Sequence, residues 1–383
     1  MTPPALTRGS RHVESMMSAS RRDAGVMASG QSVNLAVGEP DLAPPPAVVE
    51  SLKRAVDAGH THYVDLAGDE ELRAAIAATE SANWGRELSP ANVQVTAGAT
   101  AGIAAAILGT TSIGDRVVMP DPTYSLYADV VRLAGGIPVP VECLPNMHLD
   151  LAALAPALKG ARAFVYCSPV NPTGVVYRRE ELEGVAGLLD PGTIVIDDGA
   201  YSSLVYEPHR YVPAAEIPSL AERTVYCQTF SKKFAMTGFR IGYLVAPEAL
   251  LPPIAAVHRT FNGSVNAAVQ KSALAALAMN TSFADLALRT YQRRIEFVRQ
   301  AMESIPLLEA VPPEGAFYIF PKILTVHSSA ETSRHLARHG VRVRSGGEFG
   351  FGGEGHLRIS YAASEESLKI GFDRIKAAME LLG

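Results

Sequence analysis

Lys232 and Lys233 follow Thr229 and Ser231, and Arg240 stands eight positions beyond Lys232. The apolar run Thr224-Val225-Tyr226-Cys227 leads into this stretch, and a second, Ile241 to Val245, leads out. A lysine amine that has lost its proton can form a Schiff base with an aldehyde. Hydroxyls and a guanidinium nearby can hold a phosphate by charge-assisted hydrogen bonds. An aldehyde and a phosphate are the two handles of pyridoxal 5'-phosphate. A pair of lysines before a loop is more often two solvated charges, so the rest of the chain has to decide.

Asp198 ends the apolar run Ile194-Val195-Ile196-Asp197-Asp198. A carboxylate there is either exposed at a strand tip or paired with a buried cation. A protonated ring nitrogen is such a cation, and holding it protonated makes the ring an electron sink. Tyr201 lies three residues on and can donate to a phenolic oxygen. Asn171, in Ser168-Pro169-Val170-Asn171-Pro172-Thr173-Gly174, can reach the same oxygen, although Asn-Pro-Thr-Gly is also simply a good turn. Tyr124, after Pro120-Asp121-Pro122-Thr123, can stack on a ring or fill core. Gly98, Ala99 and Thr100 lie between a strand and a helix, where backbone N–H groups can face an anion. Close helix packing explains those small residues equally well. Their spacing is that of neither a P-loop nor Gly-x-Gly-x-x-Gly.

The elements that must position these residues alternate. Strands are expected at 92–96, 116–119, 137–141, 163–167 and 193–197, with an apolar helix following Ala97 to Thr100 and ending at about Leu108, and further helices at 124–134, 151–159 and 180–188. That rhythm predicts an α/β fold, a mostly parallel sheet sandwiched by helices with functional residues at its carboxyl edge. Helices are also expected from Pro44-Pro45-Pro46 to about Ala58 and at 70–81. Beyond Leu250 the rhythm weakens. Long helices at 267–279 and 283–304, strands at 316–320, 341–343 and 357–361, and a closing helix at 364–382 suggest a smaller α+β region. The expected division is an N-terminal arm (1–42) packing on the small domain, a large domain (43–279) and a small domain (280–383). A short helix is expected around Ser18 to Met27.

The bulk numbers suit a soluble enzyme of two domains: 383 residues, 48% hydrophobic, 19% charged, net charge -5. A nucleic-acid partner would need a clustered basic face, and none is evident. Cys143, Cys167 and Cys227 are far apart and lack metal-ligand spacing, so no metal is expected and they read as thiols of a reducing cytoplasm. The uncharged run Thr96 to Gly114 is rich in Gly, Thr and Ala, which favours a buried helix over a membrane span.

Taken together, Gly38-Glu39-Pro40-Asp41, Tyr63 with Gly68, Gly98-Ala99-Thr100, Asn171-Pro172-Thr173-Gly174, Asp198 with Tyr201, Ser231-Lys232 through Arg240, and Arg358-Ile359-Ser360 resemble a fold-type I pyridoxal-phosphate enzyme of the class I and II aminotransferase family. The resemblance runs from about Leu35 to Leu381. It implies a seven-stranded-type sheet and a ping-pong transfer of an amino group from an L-amino acid to a 2-oxo acid. Lys232 is then the Schiff-base lysine. Gly98, Ala99, Thr100, Thr229 or Ser231, and Arg240 hold the phosphate, and Arg358 clamps the substrate α-carboxylate with help from Gly38 and Asn171. Tyr63 reaches the phosphate of a partner subunit, which implies a homodimer with shared sites. The same motifs occur in enzymes that eliminate, cyclise or oxidise, so a lyase or cyclase is the alternative. A cofactor-binding regulator would need a DNA-binding segment that the thirty residues before the core are too short to provide. Gly199 stands where the family often has Glu, and Asn262-Gly263-Ser264-Val265-Asn266 departs from the commoner pattern at the dimer contact. The side-chain pocket is expected to involve Val13 to Met17, Tyr318 and Ser345 to Gly353, with His12, His60, Arg259 and Arg344 as possible contacts. Nothing there spells an acidic-side-chain clamp, so small neutral or aromatic amino acids are expected.

Overall fold

A computed structural model describes residues 9–19, 32–279 and 282–382. Strand β1 is Val33–Asn34. The strands β2 (Val93–Thr96), β3 (Arg116–Asp121), β4 (Ile137–Glu142), β5 (Ala163–Cys167), β6 (Ile194–Asp198), β7 (Thr224–Thr229) and β8 (Gly242–Val245) form one seven-stranded sheet. Their order is β2-β8-β7-β6-β5-β3-β4, and β8 runs antiparallel to both neighbours. Every residue of β2, β5, β6, β7 and β8 is buried, because helices cover both faces. This is the expected α/β architecture. The helix Ala99–Thr110 carries no charge and buries seven residues, among them Ile103, Ala106 and Ile107. Among the described residues, no helix is long and apolar enough to cross a membrane.

Small strands follow: β9 (Leu308–Glu309), β10 (Tyr318–Ile319), β11 (Lys322–Ile323), β12 (Val341–Arg342), β13 (Arg344–Ser345) and β14 (Leu357–Ser360). β10, β14 and β13 form an antiparallel sheet. A second core of Tyr291, Val298, Phe317, Tyr318, Ile359, Tyr361, Leu368, Phe372 and Ile375 gathers on it, with Leu35 from the N-terminal side. The helices Ser282–Glu303 and Glu365–Glu380 supply much of that core.

The N-terminal segment divides its contacts. β1 pairs in parallel with β12, placing Asn34 opposite Arg342. A helix before it spans Arg11–Ala19 and lies against the helix Leu126–Leu133, while residues 20–27 of the helix expected around Ser18 to Met27 lie outside the described residues. The described part of the arm thus meets both β12 and the helix Leu126–Leu133. A helix satisfies its own backbone groups, and only the extended piece must find a strand partner. The loop after β1 is anchored by Asp41, which takes a bidentate pair from Arg294 at 2.6 and 2.7 Å. That pair fixes the loop bearing Gly38 and Glu39 against the helix Ser282–Glu303.

Candidate active site

Five strands of the large sheet end on one side, and the residue types singled out above follow their carboxyl ends. Gly98 to Thr100 follow β2, Tyr124 follows β3, Asn171 follows β5, Asp198 and Tyr201 end and follow β6, and Ser231 and Lys232 follow β7. With Gly38, Arg240, Tyr318 and Arg358 they surround a cavity of about 400 Å³. Gly98 lies just before the lining residues Ala99 and Thr100: with φ +88° it caps the helix Ala99–Thr110, and a Cβ there would meet Arg240 Nη2 at 2.8 Å. Only a glycine allows both that backbone and that approach. Helix N–H groups and a guanidinium therefore converge on one spot, which suits a phosphate.

Lys232 Nζ donates to the Gly38 carbonyl at 2.6 Å. Burial pulls its pKa down to about 8; the Glu39 carboxylate opposes this, and Arg240 and Arg358 reinforce it. Glu39 itself accepts from the Thr237 hydroxyl. An amine this easily deprotonated is a competent nucleophile and proton carrier near neutral pH.

Asp198 is almost fully buried, and burial pushes its pKa up to about 6. The Tyr127 hydroxyl donates to Asp198 Oδ2 at 2.7 Å and the Ala200 N–H to Oδ1 at 3.1 Å, and both favour the charged form. The cavity thus has a carboxylate at its floor, fit for a protonated ring nitrogen. Tyr124 and Tyr127 meet edge to face, 5.8 Å between centroids. Tyr201 and Tyr318 share a hydroxyl–hydroxyl hydrogen bond of 2.7 Å. Thr229 accepts the Ser231 N–H and donates to the Ser231 hydroxyl, shaping the turn that aims Lys232.

Arg358 is 6% exposed. Nη1 donates to Asn171 Oδ1 at 2.9 Å and Nη2 to the Ala36 carbonyl at 2.6 Å, while among the described residues Nε has no partner. Its guanidinium lies 4.4 Å over the Tyr318 ring and 4.9 Å over Phe349. A cation so fixed and desolvated is a ready clamp for a planar carboxylate.

Tyr63 stands apart from this group. It is 94% exposed and lines a surface depression with His60, His62 and Ser264 to Asn266. Asn266 caps the helix Ala267–Leu277 there. Of the possible contacts, Arg344 lines the cavity while His258's neighbour Arg259 lies on the helix Leu251–Asn262, outside its lining. Tyr127 and Arg342 were missed by sequence reasoning, whereas Phe349 falls within the stretch Ser345 to Gly353 expected at the pocket and lines the cavity. Tyr127 lies one helical turn from Tyr124, and that spacing was its signal. Gly199 has a local cause: a Cβ there would come within 2.4 Å of Tyr226 Cε2, and Gln228 bridges Gly199, Ser202 and Tyr226 in the space a larger side chain would need.

Fold and cavity together define a candidate active site at the carboxyl edge of an α/β sheet. The sequence of residues 31–375 matches the model of the aminotransferase class I and II family, and the chain belongs to that family. It is 33% identical to an aspartate aminotransferase of Pyrococcus horikoshii over 359 residues, covering 91% of this chain and 90% of the relative. It is 33% identical to an aspartate/prephenate aminotransferase of Cereibacter sphaeroides, covering 91% and 92%. Among solved structures it resembles an aspartate aminotransferase tetra mutant from Thermus thermophilus (TM-score 0.88, 31% identity, 97% and 99% covered). It also resembles an aromatic aminotransferase from Pyrococcus horikoshii (TM-score 0.88, 32% identity, 92% and 97% covered). The protein is an aminotransferase.

Proposed function

We propose that this enzyme binds pyridoxal 5'-phosphate in the cavity and moves an amino group from an L-amino acid to a 2-oxo acid through it. The observation that carries the proposal is the buried Lys232 amine, with its lowered pKa of about 8, sharing one cavity with Asp198, Arg240 and Arg358. When bound, the cofactor supplies a carbonyl to capture the amine and an electron sink for the charge left at the substrate α-carbon.

The chain's own residues account for the rest. Gly98, Ala99, Thr100, Ser231 with Thr229, and Arg240 hold the phosphate. Asp198, kept in place by Tyr127 and Ala200, holds the ring nitrogen protonated. Tyr124 covers the ring face, and Tyr201 and Asn171 address the phenolic oxygen. Arg358, with Asn171 and the Gly38 backbone, orients the α-carboxylate. Lys232 would hold the cofactor's carbonyl carbon, and its free Nζ would carry the substrate α-proton. The relatives are named for aspartate, prephenate and aromatic substrates, and an α-amino or 2-oxo acid end is the part Arg358 is suited to hold.

We also assign an arm (1–42), a large domain (43–279) and a small domain (280–383), and a homodimer. The exposed Tyr63 then serves the phosphate of the partner's site. The test is Lys232→Ala in protein loaded with cofactor. Loss of turnover and of the visible absorbance of the lysine-linked cofactor is expected, and full activity in that variant would end the proposal. Oxo acid released catalytically without an acceptor would favour the lyase alternative.

A further inference from the structure

The helix Leu251–Asn262 packs on the helix Ala99–Thr110 and on β2. Its buried residues are Leu251, Ile254 and His258, so a histidine stands where the helical spacing calls for an apolar side chain. His258 is fully buried, and its Nε2 accepts the Ala97 backbone N–H at 3.2 Å. Ala97 is the one residue between β2 and Gly98. The ring therefore grips the turn that brings Ala99 and Thr100 to the cavity.

That turn is otherwise tied to itself. The Gly98 N–H donates to the Thr96 carbonyl at 2.8 Å, and the Thr96 hydroxyl donates to the Gly98 carbonyl at 3.1 Å. The pairing of β2 with β8 ends at Thr96. Past that point, His258 is a hold supplied from another element. Because the Ala97 N–H is the donor, Nε2 must offer a lone pair, and the ring proton sits on Nδ1, which has no partner among the described residues. A charged ring carries N–H on both nitrogens and cannot accept. Grip and charge therefore exclude each other. The helix Ala99–Thr110 and β2 carry no charged side chain. Arg259 is the charged residue of the histidine's own helix, and Arg240 approaches Gly98 on the cavity side. Burial pulls the ring's pKa below 6.5, which favours the gripping, neutral form near neutral pH.

We propose that His258 is a positioning residue for the phosphate-binding turn: it holds the Ala97 N–H so that the backbone of Gly98, Ala99 and Thr100 stays directed into the phosphate site, and it lets go when the ring takes up a proton. The inference rests on the reading above, in which this turn holds the phosphate of pyridoxal 5'-phosphate. Since folding lowers the ring's pKa, the grip is present above that pKa and is lost as pH falls through it.

Cofactor binding tests this without turnover. The apoprotein is titrated by fluorescence with pyridoxal 5'-phosphate and with pyridoxal, which lacks the phosphate. His258→Leu fills much the same space without an acceptor; it should weaken binding of the phosphate compound by about tenfold and leave that of pyridoxal within about twofold. His258→Gln offers an amide oxygen and does not titrate, so it should match the wild type at about pH 8 and hold the phosphate compound at least about threefold more tightly than the wild type at about pH 5. A Leu variant that binds both compounds as the wild type does, or loses both alike, would make His258 a packing residue and overturn the proposal. Should the Leu variant not fold, wild type and Gln variant decide, and identical pH curves for the two would overturn it. Wild-type apoprotein with equal affinity for both compounds would instead contradict the phosphate site itself, and the inference would fall with it.

Discussion

His148 offers a perturbation whose size and pH dependence both follow from geometry. Its Nδ1 lies 2.9 Å from Glu181 Oε2 and its Nε2 3.4 Å from Glu314 Oε1. The same carboxylates accept the backbone N–H groups of Leu149 and Val176 at 2.9 and 2.8 Å. The ring therefore fastens a loop and a helix start of the large sheet to the segment that leads into β10. Hydrogen bonding to Glu181, then to Glu314, raises its pKa from 6.5 to about 9. The three side chains are only 9 to 14% exposed, so solvent screens them little. A rise of that size corresponds to about 2–3 kcal/mol, with the desolvation of the ring already counted in it. Because folding raises the pKa, this stabilisation is complete below pH 6.5 and disappears as pH climbs through about 9. His148→Gln should therefore lower apparent unfolding stability by about 2 kcal/mol at pH 6, with the deficit mostly gone by pH 9.5. Urea denaturation of wild type and variant across this range measures it. A deficit that is equal at both ends of the range would refute the charged-histidine argument, and one near zero at pH 6 would refute the network.

Three further outcomes are expected. Asp198→Asn should reduce steady-state transamination on the order of a hundredfold or more, because a carboxamide cannot hold a ring nitrogen protonated. Arg240→Gln should weaken cofactor retention by about tenfold to a hundredfold, read by fluorescence titration of the apoprotein, since one charged donor is lost from the phosphate site. Gly199→Ala should cost about 1–3 kcal/mol of stability through overpacking against Tyr226, read as a lowered Tm.

The large sheet was legible because its strands are short apolar runs broken by Gly, Pro and polar residues. The same punctuation exposed Asn171, Asp198 and Lys232, since the residue just past such a run sits at the sheet's edge. The helix Leu251–Asn262 was not anticipated, because Leu251-Pro252-Pro253 reads as a loop although proline is well tolerated in a first turn. The helix Ser329–Arg338 was hidden by its polar face, and β9 and β11 are too short for any period to register. Tyr127 looked like an ordinary helix position, and only folding brings its hydroxyl to a carboxylate 71 residues away. Arg342 was obscured by a strand pattern that showed which residues share a face but not what that face borders.

The pairing of β1 with β12 also governs when the enzyme becomes competent during synthesis. All seven strands of the large sheet have left the ribosome once Val245 has emerged, and Lys232, Asp198 and Asn171 can then assemble. The loop that carries Gly38, made long before, has no strand to seat β1 until Val341 and Arg342 arrive, and Arg358 comes later still. The wall bearing Lys232, Asp198 and Asn171 is thus synthesised well ahead of the one bearing Arg358.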